Sequence, residues 1–257
     1  MKIHLYSGAG NTFTVLDGRD SSEEMPDVVR LCRKYATDGL MILRTDAKFD
    51  FSMDYYNSDG SGGMMCGNGG RCIVAFADFL GITPSEKDTY RFLAADGEHS
   101  GTILKRDGRD KTVRLKMCDV HSFAPSIEDG YFLDTGTRHY VKFVEDVEAV
   151  DLPAEGSRLR HHPTFAPVGA NANFVQIIGE DTIKVRTFEK GVEAETLACG
   201  TGVTASAIAS YLSGKAKGCK IEVHTRKDIM EVEFNPSETE FTEVYLTGPT
   251  TECSEAA

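Results

Sequence analysis

Two short segments of this 257-residue chain share one unusual pattern. Residues 64–72 read MMCGNGGRC, and residues 197–206 read LACGTGVTAS. Each segment has a cysteine, a glycine, a small polar residue and a second glycine, followed by residues that favour a helix. Because a repeated unit of this kind is typical of an internal duplication, the chain is expected to contain two similar domains.

The residues around the two motifs support this interpretation. Residues 54–63 and 184–196 each read as a strand followed by a turn that leads to the cysteine. After each motif an apolar helix is expected, ending at Gly81 in the first case and at Gly214 in the second. Further upstream, the segment that begins at Asn11 compares with the one that begins at Asn173, which would align these two strands.

These patterns predict an α+β fold of two structurally similar domains. The first is expected to span residues 1–117 and the second residues 118–249, with the tail from about 250 to 257 returning to the first. Each domain is expected to form a curved, mostly antiparallel sheet around a central helix, with the active site in the cleft between the domains. A polar, Pro-containing segment lies around residues 150–167, and the polar tail after Thr250 is expected to fray.

Composition excludes several classes of function. The net charge is −12 and no basic stripe is present, so neither nucleic acid nor an anionic membrane is an expected partner. No window approaches the roughly 20 apolar residues of a transmembrane helix. The first residues alternate like a strand and lack the apolar core of a signal peptide, so a cytoplasmic location is expected.

The cysteine pattern singles out two thiols. The chain has seven cysteines, an odd number, and no C-x-x-C pair, so neither a disulfide scaffold nor a structural zinc site is expected. Cys32 lies in a helical pattern and Cys72 within the helix after the first motif, where both are expected to pack in the core. Only Cys66 and Cys199 open glycine-rich turns.

A glycine-rich turn at the start of a helix suits anion chemistry. The first N–H groups of a helix are unpaired and carry partial positive charge, which attracts a carboxylate and stabilises a thiolate. If two such turns face each other, one thiolate can remove an α-proton and the opposite thiol can return a proton to the other face. Converging N–H groups stabilise the charge that develops. This stereoinversion requires neither a metal nor pyridoxal phosphate, and no cofactor is expected.

With these motifs in view, the chain resembles the diaminopimelate epimerase family, within a wider group that includes proline racemase. The resemblance rests on GAGNTFTVLDG, YYNSDGSGGMMCGNGGRC, GANANFVQII, FEKGVEAETLACGTG and YLTGP. It implies cofactor-free interconversion of LL- and meso-diaminopimelate by two thiols. It also implies a homodimer and a place in lysine and cell-wall precursor synthesis.

The resemblance assigns roles to individual residues. Cys66 and Cys199 match the family's acid/base pair, and His139 and Glu189 match supporting groups near the reacting centre. The four turn residues that follow the cysteines match the family residues that hold the carboxylate at that centre. The positions that match substrate-binding residues are Asn11, Asn57, Gly67, Asn68, Asn171, Glu189, Lys190, Gly200 and Thr201.

Four positions depart from the family pattern. Lys190 follows Glu189 where the family usually has arginine, and Thr137–Arg138 precede His139 where it has Asn-Pro. Gly39 stands where it often has glutamine. These changes affect the side that recognises the far end of the substrate, so we hypothesise that Arg138 or Lys190 binds the distant carboxylate.

Two other interpretations remain open at this point. The first keeps the two thiols but changes the substrate to proline, hydroxyproline or another amino acid. The second is a thiol redox sensor or a carboxylate-binding protein, in which losing either cysteine spares ligand binding and no α-hydrogen exchange occurs. It accounts less well for a duplicated anion site, because binding needs only one.

Overall fold

The computed structural model of the protein describes residues 2–20, 25–63 and 66–255. The chain divides into two compact units, one comprising Met1–Lys116 and Thr247–Ala257 and the other Met117–Leu246. Both units combine a sheet with helices, so the expected α+β class is confirmed. The expected division into duplicated halves at residues 117 and 249 stays a prediction.

The secondary structure follows in chain order. The elements up to residue 116 are β1 (Ile3–Gly8), β2 (Asn11–Asp17), α1 (Val28–Tyr35), β3 (Gly39–Arg44), β4 (Phe51–Asn57), α2 (Gly67–Phe79), β5 (Thr89–Ala94), β6 (Gly97–Asp107) and β7 (Asp110–Lys116). The remaining elements are β8 (Ser122–Pro125), β9 (Tyr131–Asp134), β10 (Arg138–Phe143), α3 (Ser157–Arg160), β11 (Asn171–Gly179), β12 (Thr182–Glu189), β13 (Ala194–Thr196), α4 (Gly200–Leu212), β14 (Lys220–His224), β15 (Ile229–Pro236) and β16 (Phe241–Glu255).

The first unit is a closed sheet around a helix. Its strands are ordered β1-β2-β3-β4-β5-β6-β7-β16, and β16 also pairs with β1. Helix α2 contacts strands on both sides of this curve, and every residue from 67 to 77 is buried. A helix that is buried all round belongs in a core, so the first motif's helix is the centre of this unit.

The second unit repeats this arrangement. Its strands are ordered β16-β15-β14-β12-β11-β10-β9-β8, and a bridge between Val120 and Phe241 joins the two ends. Helix α4 contacts β9, β10, β11, β12, β14 and β15, and nearly all of its residues are buried. Glycine, alanine, serine and threonine dominate α4, and their small side chains let the surrounding strands approach the helix closely.

The strand pairings show which elements of the two units correspond. From β1 to β6 the pairings alternate between antiparallel and parallel, and the same alternation runs from β9 through β10, β11, β12 and β14 to β15. In this scheme β2 corresponds to β10, and β3 to β11. The expected alignment of the strand at Asn11 with the strand at Asn173 is therefore wrong, because Asn173 lies in β11.

The predicted ends of the two central helices are confirmed. Helices α2 and α4 each end two residues before a glycine in the left-handed region, Gly81 (φ 70°) and Gly214 (φ 69°), as expected. Residues 152–165 contain short helical turns. One other expectation is wrong, because the tail is strand as far as Glu255, where it pairs with β1.

Candidate active site

Both motif cysteines lie at the N-terminus of a central helix. Cys66 is the residue before α2 and Cys199 the residue before α4, and both have extended backbone angles (φ −93° and −116°). Cys66 is half-buried and Cys199 is 8% exposed. Each cysteine is therefore the N-cap residue of a helix, the end at which negative charge is stabilised. The expected packing of Cys32 and Cys72 in the core is confirmed.

In the first unit, a fully buried arginine orders the amides near Cys66. Arg71 donates from Nη2 to Asn68 Oδ1 (3.0 Å) and from Nη1 to the carbonyl oxygen of Gly67 (3.3 Å). Asn68 in turn donates from Nδ2 to Asn11 Oδ1 (2.6 Å). Because a guanidinium has only donors, both amide orientations follow from Arg71. The N–H groups of Asn11 are therefore directed away from Asn68.

Asn57 and Gly39 lie side by side at the ends of two neighbouring strands, β4 and β3. The two residues are register partners across β3 and β4, and Asn57 donates to Ser61 Oγ (3.0 Å) in the turn that follows β4. A Cβ atom at residue 39 would lie 2.9 Å from the carbonyl oxygen of Tyr56 and 3.0 Å from the Tyr55 hydroxyl. The Tyr55 side chain thus occupies the space beside Gly39, which gives a steric reason for glycine there.

In the second unit, a histidine is linked to Cys199 through hydroxyl groups. His139 Nε2 lies 2.9 Å from both Thr137 Oγ1 and Thr201 Oγ1. The two hydroxyl oxygens are 3.0 Å apart, and Thr201 Oγ1 is 3.4 Å from Cys199 Sγ. Complete burial lowers the pKa of His139 from 6.5 to about 3, so the ring is neutral at physiological pH.

Asn171 is held by backbone groups at the start of β11. Its Nδ2 donates to the carbonyl oxygen of Arg138 (2.9 Å), and its Oδ1 accepts from the backbone N–H of Lys190 (2.8 Å). Glu189 is the last residue of β12, and a short turn connects it to β13, which leads to Cys199. Asn171 therefore fixes the backbone that carries the two residues at positions 189 and 190.

The two candidates for the distant carboxylate lie in different surroundings. Arg138 packs over the Phe132 ring at 5.1 Å and donates to the carbonyl oxygen of Phe165 (3.3 Å). Since neighbouring strand residues point to opposite faces, it points away from the face that His139 shares with Cys199. Lys190 is exposed, and no carboxylate in the described part of the chain pairs with its ammonium group. The geometry favours Lys190.

Four residues near the cysteines were missed by the sequence analysis, namely Arg71, Tyr55, Thr137 as a hydrogen-bonding group, and Asn173. Asn173 carried a usable signal, because it lies two residues after Asn171 on the same strand and so shares its face. Arg71 carried the opposite signal, since a charged residue in an apolar helix usually faces solvent.

The described ranges contain neither a membrane-spanning helix nor a cluster of metal-binding side chains. No helix in residues 2–20, 25–63 and 66–255 has the length and apolar character needed to cross a bilayer. The same ranges contain no group of three histidine, cysteine or acidic side chains arranged to hold a metal ion.

Comparison with known families and relatives gives one consistent result. Residues 3–121 and 131–252 match the family described as diaminopimelate epimerase. A diaminopimelate epimerase from Flavobacterium psychrophilum is 40% identical over 256 residues, covering 97% of this chain and 96% of that protein. One from Chlorobaculum tepidum is 38% identical over 253 residues, covering 95% of each.

Solved structures extend the likeness in fold. A PhzF-family phenazine biosynthesis protein from Bacillus anthracis aligns with a TM-score of 0.73 at 14% identity, covering 99% of this chain and 97% of that one. A probable proline racemase from Agrobacterium radiobacter aligns with a TM-score of 0.69 at 16% identity, covering 100% and 92%. At these identities the likeness concerns the fold alone.

Proposed function

This chain belongs to the diaminopimelate epimerase family, and from that premise we propose that it interconverts LL- and meso-diaminopimelate with Cys66 and Cys199 as its two acid/base groups. The observation that carries the proposal is the repeated position of the cysteines, each at the N-terminus of a buried central helix. The setting is the cytoplasm, the working form is a homodimer, and the reaction supplies lysine and cell-wall precursors.

The proposed reaction moves one proton in and one proton out. The substrate carboxylate is held by the N–H groups of the turn residues Gly67, Asn68, Gly200 and Thr201. One cysteine, as thiolate, removes the α-proton, and the other, as thiol, delivers its own proton to the opposite face. The negative charge of the intermediate spreads onto the carboxylate, where the N–H groups stabilise it. The two cysteines end with exchanged protonation states.

The remaining site residues are proposed to bind the rest of the substrate. Asn11, Asn57 and Asn171 are assigned to polar recognition, with Glu189 and His139 supporting the thiols. For Asn11 the support is its fixed amide, whose N–H groups face away from Asn68. For Asn171 the support is indirect, because both ends of its amide already bind backbone groups.

The proposal is tested by proton NMR of LL-diaminopimelate with the reduced protein in D₂O. We expect the α-proton signal at the reacting centre to disappear while the meso isomer accumulates. If LL-diaminopimelate is unchanged and proline or hydroxyproline loses its α-proton instead, the two-thiol chemistry holds and the substrate assignment is wrong. If none of these amino acids exchanges, the protein is not an epimerase of this class.

Replacing Lys190 by alanine is expected to raise KM for diaminopimelate about tenfold with little change in kcat. A charge-assisted hydrogen bond to the distant carboxylate is worth about 1.5 kcal/mol or more, which corresponds to such a change. Lys190→Arg is expected to keep KM low, because a guanidinium binds a carboxylate with two hydrogen bonds.

Steady-state kinetics of three proteins check this assignment. Arg138→Ala, at the other candidate position, and Lys217→Ala, at an exposed lysine elsewhere in the same unit, are expected to keep the wild-type KM. A raised KM in Arg138→Ala with an unchanged KM in Lys190→Ala would reverse the assignment.

A further inference from the structure

The orientation of the Asn173 amide beside His139 is set by a neighbour that can only accept. Asn173 Nδ2 lies 3.0 Å from the carbonyl oxygen of Tyr140, which can only accept, so this amide atom is the NH2 group. Its Oδ1 accepts from the Thr187 hydroxyl at 2.9 Å. The carbonyl oxygen of Tyr140 therefore fixes the orientation of the Asn173 amide, and the contact with Thr187 agrees with it.

This orientation determines which nitrogen of His139 carries the proton. Asn173 Nδ2 also lies 3.1 Å from His139 Nδ1, so Nδ1 faces a donor and must be the acceptor. A neutral imidazole with Nδ1 as acceptor is protonated on Nε2. Both Asn173 and His139 are completely buried, which leaves no water-exposed alternative for either ring nitrogen.

The Nε2 proton begins a directed chain of hydrogen bonds. It points at the hydroxyls of Thr137 and Thr201, each 2.9 Å away. A hydroxyl that accepts one hydrogen bond has its own proton to donate, and Thr201 has Cys199 Sγ within 3.4 Å. Whether Nε2 donates to Thr201 directly or through Thr137, the Thr201 hydroxyl keeps a proton that it can donate to the sulfur.

We propose that Asn173 and Thr187 are positioning residues for Cys199, which hold His139 as its Nε2–H tautomer so that the hydroxyls of Thr137 and Thr201 pass a hydrogen-bond donor to the Cys199 sulfur. The inference rests on the proposed function and deepens it. A sulfur that accepts a hydrogen bond is stabilised as thiolate, so this network favours the thiolate form of Cys199. The neutral ring also means that Cys199 is not half of a thiolate–imidazolium pair.

The tautomer is measured directly by long-range ¹H–¹⁵N correlation NMR on protein labelled with ¹⁵N-histidine, with His139→Gln protein used to assign the signals. We expect the pattern of a neutral ring protonated on Nε2, unchanged between about pH 5 and pH 8, where an exposed histidine titrates. A ring protonated on Nδ1, or on both nitrogens in this range, would overturn the proposal. Neither result depends on epimerase activity.

Asn173→Asp tests the cause of the tautomer with almost no change in shape. A carboxylate cannot donate to Nδ1, so the neutral ring is expected to carry its single proton on Nδ1 and none on Nε2. Thr201 then donates to His139 or Thr137 instead of to Cys199. Loss of a hydrogen bond to a charged sulfur is expected to lower kcat about ten- to hundredfold with little change in KM.

Thr187→Val provides a second, milder variant for the case in which Asn173→Asp does not fold. It removes the donor that holds Asn173 Oδ1 and is expected to weaken the Nε2–H signature and kcat in the same direction. Thr89→Val is the control, because it also removes a threonine hydroxyl that is hydrogen-bonded to another side chain, that of Thr102 (2.8 Å), but in the first unit and away from Asn173. An unchanged tautomer and an unchanged kcat in Thr187→Val would refute the positioning role.

The rate at which Cys199 is alkylated tests the network independently of epimerase activity. Alkylation by iodoacetamide is followed for each cysteine by peptide mass spectrometry, with exposed Cys118 and Cys253 as internal standards. In Asn173→Asp, Cys199 is expected to react more slowly at neutral pH relative to those two. Equal relative rates in wild type and variant would show that the network does not act on the sulfur.

Discussion

Alanine in place of Cys66 or of Cys199 is expected to lower kcat for the interconversion of LL- and meso-diaminopimelate about 10³-fold or more. A positioned general acid or base typically contributes 10²- to 10⁴-fold, and each cysteine serves as the base in one direction and the acid in the other. Removing either thiol therefore stops both directions. The measurement is proton NMR in D₂O with each isomer as the starting substrate.

Controls separate this chemical effect from damage to the fold. Cys118→Ala and Cys253→Ala remove exposed thiols and are expected to keep full activity. Cys199 is buried, so its alanine variant is checked by thermal unfolding, where a loss near 1 kcal/mol is typical of a single substitution. A folded variant of Cys66 or Cys199 that keeps a tenth of wild-type kcat would contradict the two-thiol mechanism.

We expect the two cysteine variants to lose kcat to a similar extent, because the two thiols occupy equivalent positions in the two units. The two cysteines occupy equivalent positions, before the first residue of α2 and of α4. Their surroundings differ, because Arg71 and two asparagine amides lie near Cys66, whereas His139 and two threonine hydroxyls lie near Cys199. We expect similar losses when either thiol is removed, and different sensitivity when the surroundings are changed.

Sequence patterns predicted the parts of this molecule that depend on short-range chemistry. The glycines at the two helix N-termini and those at positions 81 and 214 reflect backbone requirements within a few residues, and the helices begin and end where expected. The cysteines could be selected for the same reason. The motif placed each of them at the start of a helix without knowledge of any distant contact.

The parts that failed depend on pairing between distant segments. The alignment of Asn11 with Asn173 relied on similar residue types in the two segments. The correspondence between strands is set instead by the order of parallel and antiparallel pairing. The tail after Thr250 looked polar and irregular because its partner, β1, lies at the other end of the chain. Arg71 was missed because its burial requires acceptors that only the folded first turn of α2 provides.

The second large effect is expected from Gly202→Ala. Gly202 is the third residue of α4, and a Cβ atom there would lie 2.5 Å from Asn173 Oδ1 and 3.2 Å from His139 Cε1. The methyl group must displace the pair that orients the Nε2 proton toward Thr201. Since displacing a catalytic group by about 1 Å can reduce the rate 10²-fold, we expect kcat to fall by about that factor.

The duplication supplies the matched control, Gly69→Ala. Gly69 is the third residue of α2, and a Cβ atom there would lie 3.3 Å from Sδ of the flexible Met41 side chain and 3.7 Å from the Phe13 ring, an ordinary contact distance. Both substitutions bring the same gain of about 1 kcal/mol in helix propensity, which therefore cancels in the comparison. Gly69→Ala is expected to keep the wild-type kcat and an equal or higher melting temperature.

Kinetics and thermal unfolding of the two variants separate packing from catalysis. We expect Gly202→Ala to lose about 1–3 kcal/mol of unfolding free energy through overpacking, together with the fall in kcat and a changed His139 tautomer signal. If Gly202→Ala keeps full kcat while it loses stability, the contact with Asn173 and His139 matters only for packing. If both glycine variants lose activity equally, the cause lies in the helix N-termini themselves and not in the hydrogen-bonded network around Cys199.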